Sequence, residues 1–259
     1  MPEKEMPLLD HIEELRQRLI KVFITVGGLS LLTFLFELKF LEINSFSIPY
    51  LYPNVYHNIA ASLIETLRDQ NLPPYVKIVV TTPSDALISE VYISIFLGIL
   101  IGMPVIAYEF WAFVAPGLYA KEKMILLKLT VPAVFLFALG CAFGYVFVVP
   151  FSFEFLYAYA QSIGIITYIT ISDFIMFILM FCVAIGITFE LPIIMWGVTK
   201  IGLVKPESWK KNLRYFIAFS VIYGALITPD GSGVTMWFIA LPMIVLYGVG
   251  YALAKKTVK

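Results

Sequence analysis

Apolar residues in this chain come in long blocks rather than in the short alternations of a soluble domain. Residues 19–37, 86–109, 125–149, 171–201, 213–227 and 234–254 carry few charges. A helix needs about 20 apolar residues to cross a hydrocarbon core of about 30 Å. The blocks therefore predict six transmembrane helices, of which 213–227 is short and 171–201 is long enough to tilt or protrude. Backbone groups in lipid must be satisfied within the segment, so the blocks predict helices rather than open strands. A β-barrel would show alternating segments of about 10 residues. The run from Ile175 to Cys182, Ile-Met-Phe-Ile-Leu-Met-Phe-Cys, does not alternate. The expected fold is an all-α integral membrane protein, with residues 1–259 forming a single membrane domain.

The polar stretches between the blocks are patterned as well. Leu8, Ile12, Leu15 and Leu19 recur at helical spacing, with charged residues on the other face. This predicts a juxtamembrane helix running into the first span, and its plainest role is an interfacial anchor. Residues 38–85 form a long external segment interrupted by Pro49, Pro53, Pro73 and Pro74. Within it Val55, Ile59, Leu63 and Leu67 recur every fourth residue and predict a short amphipathic helix over residues 55–69. Two glycine pairs, Gly98 with Gly102 and Gly140 with Gly144, have the spacing that lets membrane helices approach closely. Pro104, Pro132, Pro192 and Pro242 lie in or near spans, where each removes a backbone donor and can kink its helix.

Composition agrees: 60% of the residues are hydrophobic and 14% charged, against about 25% charged in soluble domains. The N-terminus has Glu3, Glu5, Asp10, Glu13 and Glu14 where a cleavable signal peptide would be basic, so the first span is expected to remain. Cys141 and Cys182 have no metal or redox spacing and read as small buried hydrophobes. Net charge is zero, but its distribution sets an orientation. With six spans, 15 of the 18 Lys and Arg residues fall on the side of the termini, leaving Lys39, Arg68 and Lys77 opposite. Lys and Arg mark the cytoplasmic side, so both termini are expected there.

Three places carry candidate chemistry. Glu190 lies deep in an apolar run, in Phe189-Glu-Leu-Pro192. A charge near the bilayer centre costs about 2.5–3.5 kcal/mol on insertion scales and usually meets a polar partner, a cavity or a second protein. Its alternative role is a structural hydrogen bond between helices. Pro192 leaves the Thr188 carbonyl without its usual donor, which adds a kink. The second place is the loop from Glu109 to Lys123, with Trp111, Phe113 and Tyr119 beside Glu109 and Glu122. It reads either as an aromatic belt or as a surface for a peptide carrying arginines, which bond carboxylates in pairs and stack on rings. The third is Glu14, four residues before Arg18, where a simple intrahelical pair is the plainer reading. There is no phosphate-binding loop and no dinucleotide fingerprint. No cofactor, metal, nucleic acid or catalysis is expected. An ion-coupled secondary transporter using Glu190 as a proton site is the alternative class; such folds often show internal repeats, and the two halves of this chain show none.

At these places the sequence resembles the TatC family, the multispanning receptor of twin-arginine protein translocation. His11-Ile-Glu-Glu-Leu-Arg-Gln-Arg-Leu19 resembles its H-L-x-E-L-R-x-R-L segment. Phe110-Trp-Ala-Phe-Val-Ala-Pro-Gly-Leu-Tyr119 with Glu122 is similar to its first cytoplasmic loop. Phe189-Glu-Leu-Pro192 resembles its fourth-span motif, and Ile227-Thr-Pro-Asp230 its turn at Pro229 and Asp230. The resemblance implies that Glu14, Phe113 and Glu122 help bind the twin-arginine signal peptides of folded cargo. It implies that Glu190 meets single-span TatA-like or TatB-like subunits in an oligomeric complex. It also implies export driven by the proton-motive force, across the cytoplasmic (inner) membrane of a prokaryote. Ile12 stands where the family usually has leucine, and segment 38–85 is longer than usual.

Overall fold

A computed structural model describes residues 8–43, 46–73, 76–114, 124, 127–228 and 233–257. In chain order these form α1 (Leu8–Leu35), β1 (Phe36–Ile43), β2 (Phe46–Pro53), α2 (Ile59–Asn71), β3 (Lys77–Val79) and α3 (Asp85–Val114). There follow α4 (Thr130–Phe143), a π-helical turn (Gly144–Val148), α5 (Val149–Ser162), β4 (Tyr168–Thr170), α6 (Ile171–Phe189), α7 (Leu191–Lys200), α8 (Pro206–Ile227) and α9 (Thr235–Thr257). Among the described residues, five helical segments are long and apolar enough to cross a membrane: Asp10–Leu35, Asp85–Val114, Thr130–Ser162, Ile171–Lys200 and Thr235–Lys256. The chain is mostly helical, as its blocks predict, but among the described residues two small two-stranded sheets accompany the helices.

The chain divides into two compact units. One comprises Phe23–Gly102 and Phe153–Leu179. Its α1 portion ends at Leu35, so Phe36 and Glu37, expected in the first span, belong instead to a β-hairpin. β1 and β2 pair antiparallel in the register Phe36↔Pro53 to Ile43↔Phe46. Apolar Leu38, Phe40, Ile48, Tyr50 and Leu51 are exposed along it, and Phe36-Glu-Leu-Lys-Phe40 alternates as a strand does, a signal that the apolar count passed over. Asn54 Nδ2 donates to Glu37 Oε2 at 2.8 Å across the hairpin's end. The amphipathic helix starts at Ile59 rather than 55, because Asn58 caps it: its Oδ1 accepts from Ala61 N at 2.7 Å. Asn58 Nδ2 also donates to Glu90 Oε2 at 2.9 Å, tying α2 to α3. β3 pairs parallel with β4, Lys77 opposite Tyr168. Gly98 lets α3 press on α1, since a Cβ there would lie 2.7 Å from Val26 O. The ring of Phe153 stacks on Phe174 and Phe177.

The other unit comprises Met1–Val22, Met103–Ser152 and Met180–Lys259. Here the second glycine pair does what its spacing suggested. A Cβ on Gly140 would come 2.8 Å from Gly186 Cα, and one on Gly144 3.2 Å from Phe181 O. The helix does not stop near residue 149 as expected. Instead Val149 N–H reaches back to Gly144 O in a π turn, and α5 continues through Pro150 to Ser162. An i→i−5 bond slips the ladder by one residue. Pro192 separates α6 from α7 at Glu190: Glu190 N donates to Ile187 O at 3.1 Å, three residues back. Trp209, on α8, donates through Nε1 to Thr199 Oγ1 at 2.9 Å. Tyr247 Oη on α9 donates to Trp209 O at 2.7 Å, and its ring stacks on Phe216 at 4.0 Å.

Candidate functional site

Residues three and four apart lie on one helix face. On α1 this aligns His11, Glu14, Arg18 and Lys21, and on α3 it aligns Glu109 with Phe113. The two stripes meet. The His11 imidazole stacks on the Phe113 ring, with centroids 4.4 Å apart and planes at 12°. Arg18 Nε donates to Glu14 Oε1 at 2.9 Å, and Nη2 donates to the same oxygen. Arg18 Nη1 donates to Glu109 Oε2 at 2.7 Å. Lys21 Nζ stands 3.4 Å from Glu109 Oε1, and His11 Nδ1 is 3.7 Å from Glu14 Oε2.

The Glu109 side chain is 8% exposed and that of Arg18 21%. A carboxylate so covered needs charged partners to offset lost hydration, and Arg18 with Lys21 supplies them. Charge-assisted bonds of this length are roughly twice as strong as neutral ones. Glu14 Oε2 is buried and accepts no hydrogen bond among the described residues. The cluster thus holds one guanidinium between two carboxylates, beside a stacked ring pair. Chemically, such carboxylates can bond a guanidinium and such rings can stack on another flat group.

The expected site residues fall in different places. Glu14 and Phe113 come together, with His11 contacting both. Glu122, Pro229 and Asp230 lie outside the described residues, as does Tyr119. Trp111 does not join the aromatic surface. It is 1% exposed and packs with Leu129 and Ile193, because two residues from Glu109 a helix points almost the opposite way. Gly197 makes room for it: a Cβ there would stand 3.2 Å from the indole. Glu190 sits at the α6–α7 break, with Oε1 buried and without a hydrogen-bond partner among the described residues. Nearby, Thr188 Oγ1 donates to Ala184 O at 2.8 Å, and Tyr223 Oη to the same carbonyl at 3.4 Å.

Sequence reasoning paired Glu14 with Arg18 and missed Glu109 as the second acceptor. The available signal was a carboxylate at the end of an otherwise apolar block. No local spacing names a partner in another helix.

Long apolar helices, one interrupted at Glu190, with a carboxylate–guanidinium cluster where α1 meets α3, define a multispanning membrane protein. Comparison with known proteins makes this particular. The family described as Sec-independent protein translocase protein (TatC) matches residues 10–242. The chain belongs to that family, whose members are integral membrane proteins of the prokaryotic cytoplasmic membrane. It is 40% identical over 252 residues to the Sec-independent protein translocase protein TatC of Cenarchaeum symbiosum, covering 97% of this chain and 96% of that protein. It is 32% identical to the one from Aquifex aeolicus, covering 96% and 95%. A solved structure of a twin-arginine translocase receptor, TatC, superposes with a TM-score of 0.78 at 31% identity, covering 96% of this chain and 100% of that one.

Proposed function

We propose that this chain is the signal-peptide receptor and scaffold of a twin-arginine translocase, exporting folded proteins across the cytoplasmic membrane at the expense of the proton-motive force. It binds and organises, and has no reaction of its own. The observation that carries the reading is the meeting of Glu14 and Phe113 around His11, the two described residues of the family's peptide site. The resemblance to the family adds Glu122 to that site. Six spans, in one membrane domain, place both termini in the cytoplasm. The span added to the five long apolar helices is α8, fifth in chain order, whose 22 residues reach about 33 Å at 1.5 Å per residue. Lys210, Lys211 and Arg214 in its first half keep that half near the cytoplasmic surface.

Glu190 serves a second contact. Its buried, unmatched oxygen lies at a helix break, where a polar group of a single-span TatA-like or TatB-like subunit can bond it. Pro229 and Asp230 belong to the family's sequence motif that precedes α9. The test is binding of a twin-arginine signal peptide to the purified chain, with Lys-Lys replacing Arg-Arg as control. Glu14→Gln and Glu122→Ala should each weaken Arg-Arg binding roughly ten- to hundredfold, the loss of one charge-assisted bond. Equal affinity for both peptides in the unaltered protein would remove the receptor reading.

A further inference from the structure

We propose that Arg18 occupies the peptide-binding carboxylate from within, and that Glu109 is the acceptor that keeps Arg18 when a peptide arginine takes Glu14. This rests on the reading of Glu14 as a peptide ligand. It adds two positioning residues, Arg18 and Glu109, that act through Glu14.

The geometry shows an occupied site rather than a vacant one. Two of Arg18's N–H groups point at Glu14 Oε1, while the third nitrogen donates to Glu109 Oε2 at 2.7 Å. A guanidinium has five donors in a rigid fork, so one side chain bridges carboxylates on α1 and α3. Charge is already balanced, with Glu14 and Glu109 set against Arg18 and Lys21. An arriving pair of arginines therefore has to displace a cation, not fill a hole.

The displacement is one-sided. Arg18 gives up Glu14 but keeps Glu109, so the nearly buried Glu109 carboxylate never loses its counter-ion. Glu14 Oε2 is buried and accepts no hydrogen bond among the described residues, so it is the oxygen left to bond an incoming guanidinium as Arg18 withdraws. The exchange then replaces one guanidinium with another of identical shape. A lysine cannot reproduce the fork that Arg18 releases, so of the two peptides only the arginine one restores the bonding that Glu14 had. A cluster without Arg18 would bind either peptide more tightly, by the same factor, because the same competitor is removed from both.

The test uses the full chain in micelles and a fluorescent signal peptide carrying Arg-Arg, with a Lys-Lys version alongside. Arg18→Gln should tighten Arg-Arg binding by about three- to tenfold, the value of a partly exposed ion pair removed as competitor. The Lys-Lys peptide should gain by the same factor. Lys21→Gln loses the same charge without touching Glu14, and should change affinity by less than about twofold. Glu109→Gln should weaken Arg-Arg binding by about three- to tenfold in the unaltered background and have little effect alongside Arg18→Gln, since it acts through Arg18. Should Arg18→Gln not fold, Arg18→Lys answers the question: it keeps a cation for Glu109, releases the fork, and should tighten binding about two- to threefold.

Unchanged or weaker binding in the Arg18 variants overturns the inference, and so does equal tightening in Lys21→Gln, which would be bulk charge. Glu14→Gln separates the two levels. If it weakens Arg-Arg binding while Arg18 variants gain nothing, the receptor reading stands and the exchange is wrong. If it leaves binding intact, both fail.

Discussion

Arg18 and Glu109 are 91 residues apart in sequence, yet Arg18 Nη1 lies 2.7 Å from Glu109 Oε2. With Lys21 at 3.4 Å from the other oxygen, this contact fastens the first turns of α1 to the end of α3. Glu109→Ala leaves Arg18 to Glu14 alone and should lower stability by about 1–3 kcal/mol, the range for losing a charged hydrogen bond. Glu109→Gln, which still accepts a bond, should lose less. Thermal unfolding in micelles followed by tryptophan fluorescence measures both. A midpoint unmoved by Glu109→Ala would mean the pair holds nothing together.

Gly140 tolerates no side chain. A Cβ there meets Gly186 Cα at 2.8 Å and Ile185 O at 2.9 Å, both backbone atoms that cannot swing aside. Gly140→Val should destabilise by about 1–3 kcal/mol or more, as overpacking does. Gly27 is the control, because nothing lies within 4 Å of its added Cβ. Gly27→Ala should leave the unfolding midpoint unchanged or raise it, since alanine favours a helix over glycine by about 1 kcal/mol. Equal behaviour of the two variants would contradict the close approach of α4 and α6.

At Glu190 the expected order is Gln above Leu. An amide keeps an acceptor for the polar group of a single-span partner, whereas Leu leaves that group unmatched in the membrane, a loss of about 1–3 kcal/mol. Co-purification of a TatA-like or TatB-like subunit should fall about ten- to hundredfold in occupancy constant for Glu190→Leu, and less for Glu190→Gln. Signal-peptide affinity should stay unchanged in both. Normal co-purification with Glu190→Leu would make the residue a structural one.

Orientation is checked with a membrane-impermeant thiol reagent on intact cells, in a background lacking Cys141 and Cys182. A cysteine at Tyr56, which is 87% exposed, should be labelled, and one at Lys210 spared. Asn58 is unsuitable although it is close by, because it is fully buried and caps α2. Labelling in the reverse pattern would invert the assigned topology.

The blocks of apolar residues determined the helices, because a segment in lipid has one way to satisfy its backbone. The order of short motifs along the chain determined the family. Spacing within a helix also carried far: four residues separate Gly140 from Gly144, Glu14 from Arg18, and Glu109 from Phe113, and in each case the pair shares a face. Pro192 foretold the break at Glu190, since a missing donor is a local property.

Boundaries and partners followed other rules. The strands Phe36–Ile43 and Phe46–Pro53 take residues that an apolar count assigned to α1 or to loop, because strands are made by pairing with a second segment. The π turn at Gly144–Val148 carries its helix to Ser162, past the end of the apolar block. Trp111 is core rather than surface because Leu129 and Ile193 lie where its ring points. The joining of Arg18 to Glu109 belongs to the same class. Periodicity states which residues of one helix face the same way, for that depends only on the local backbone turn. Which faces then meet depends on how separate helices pack, and only the tertiary structure decides it.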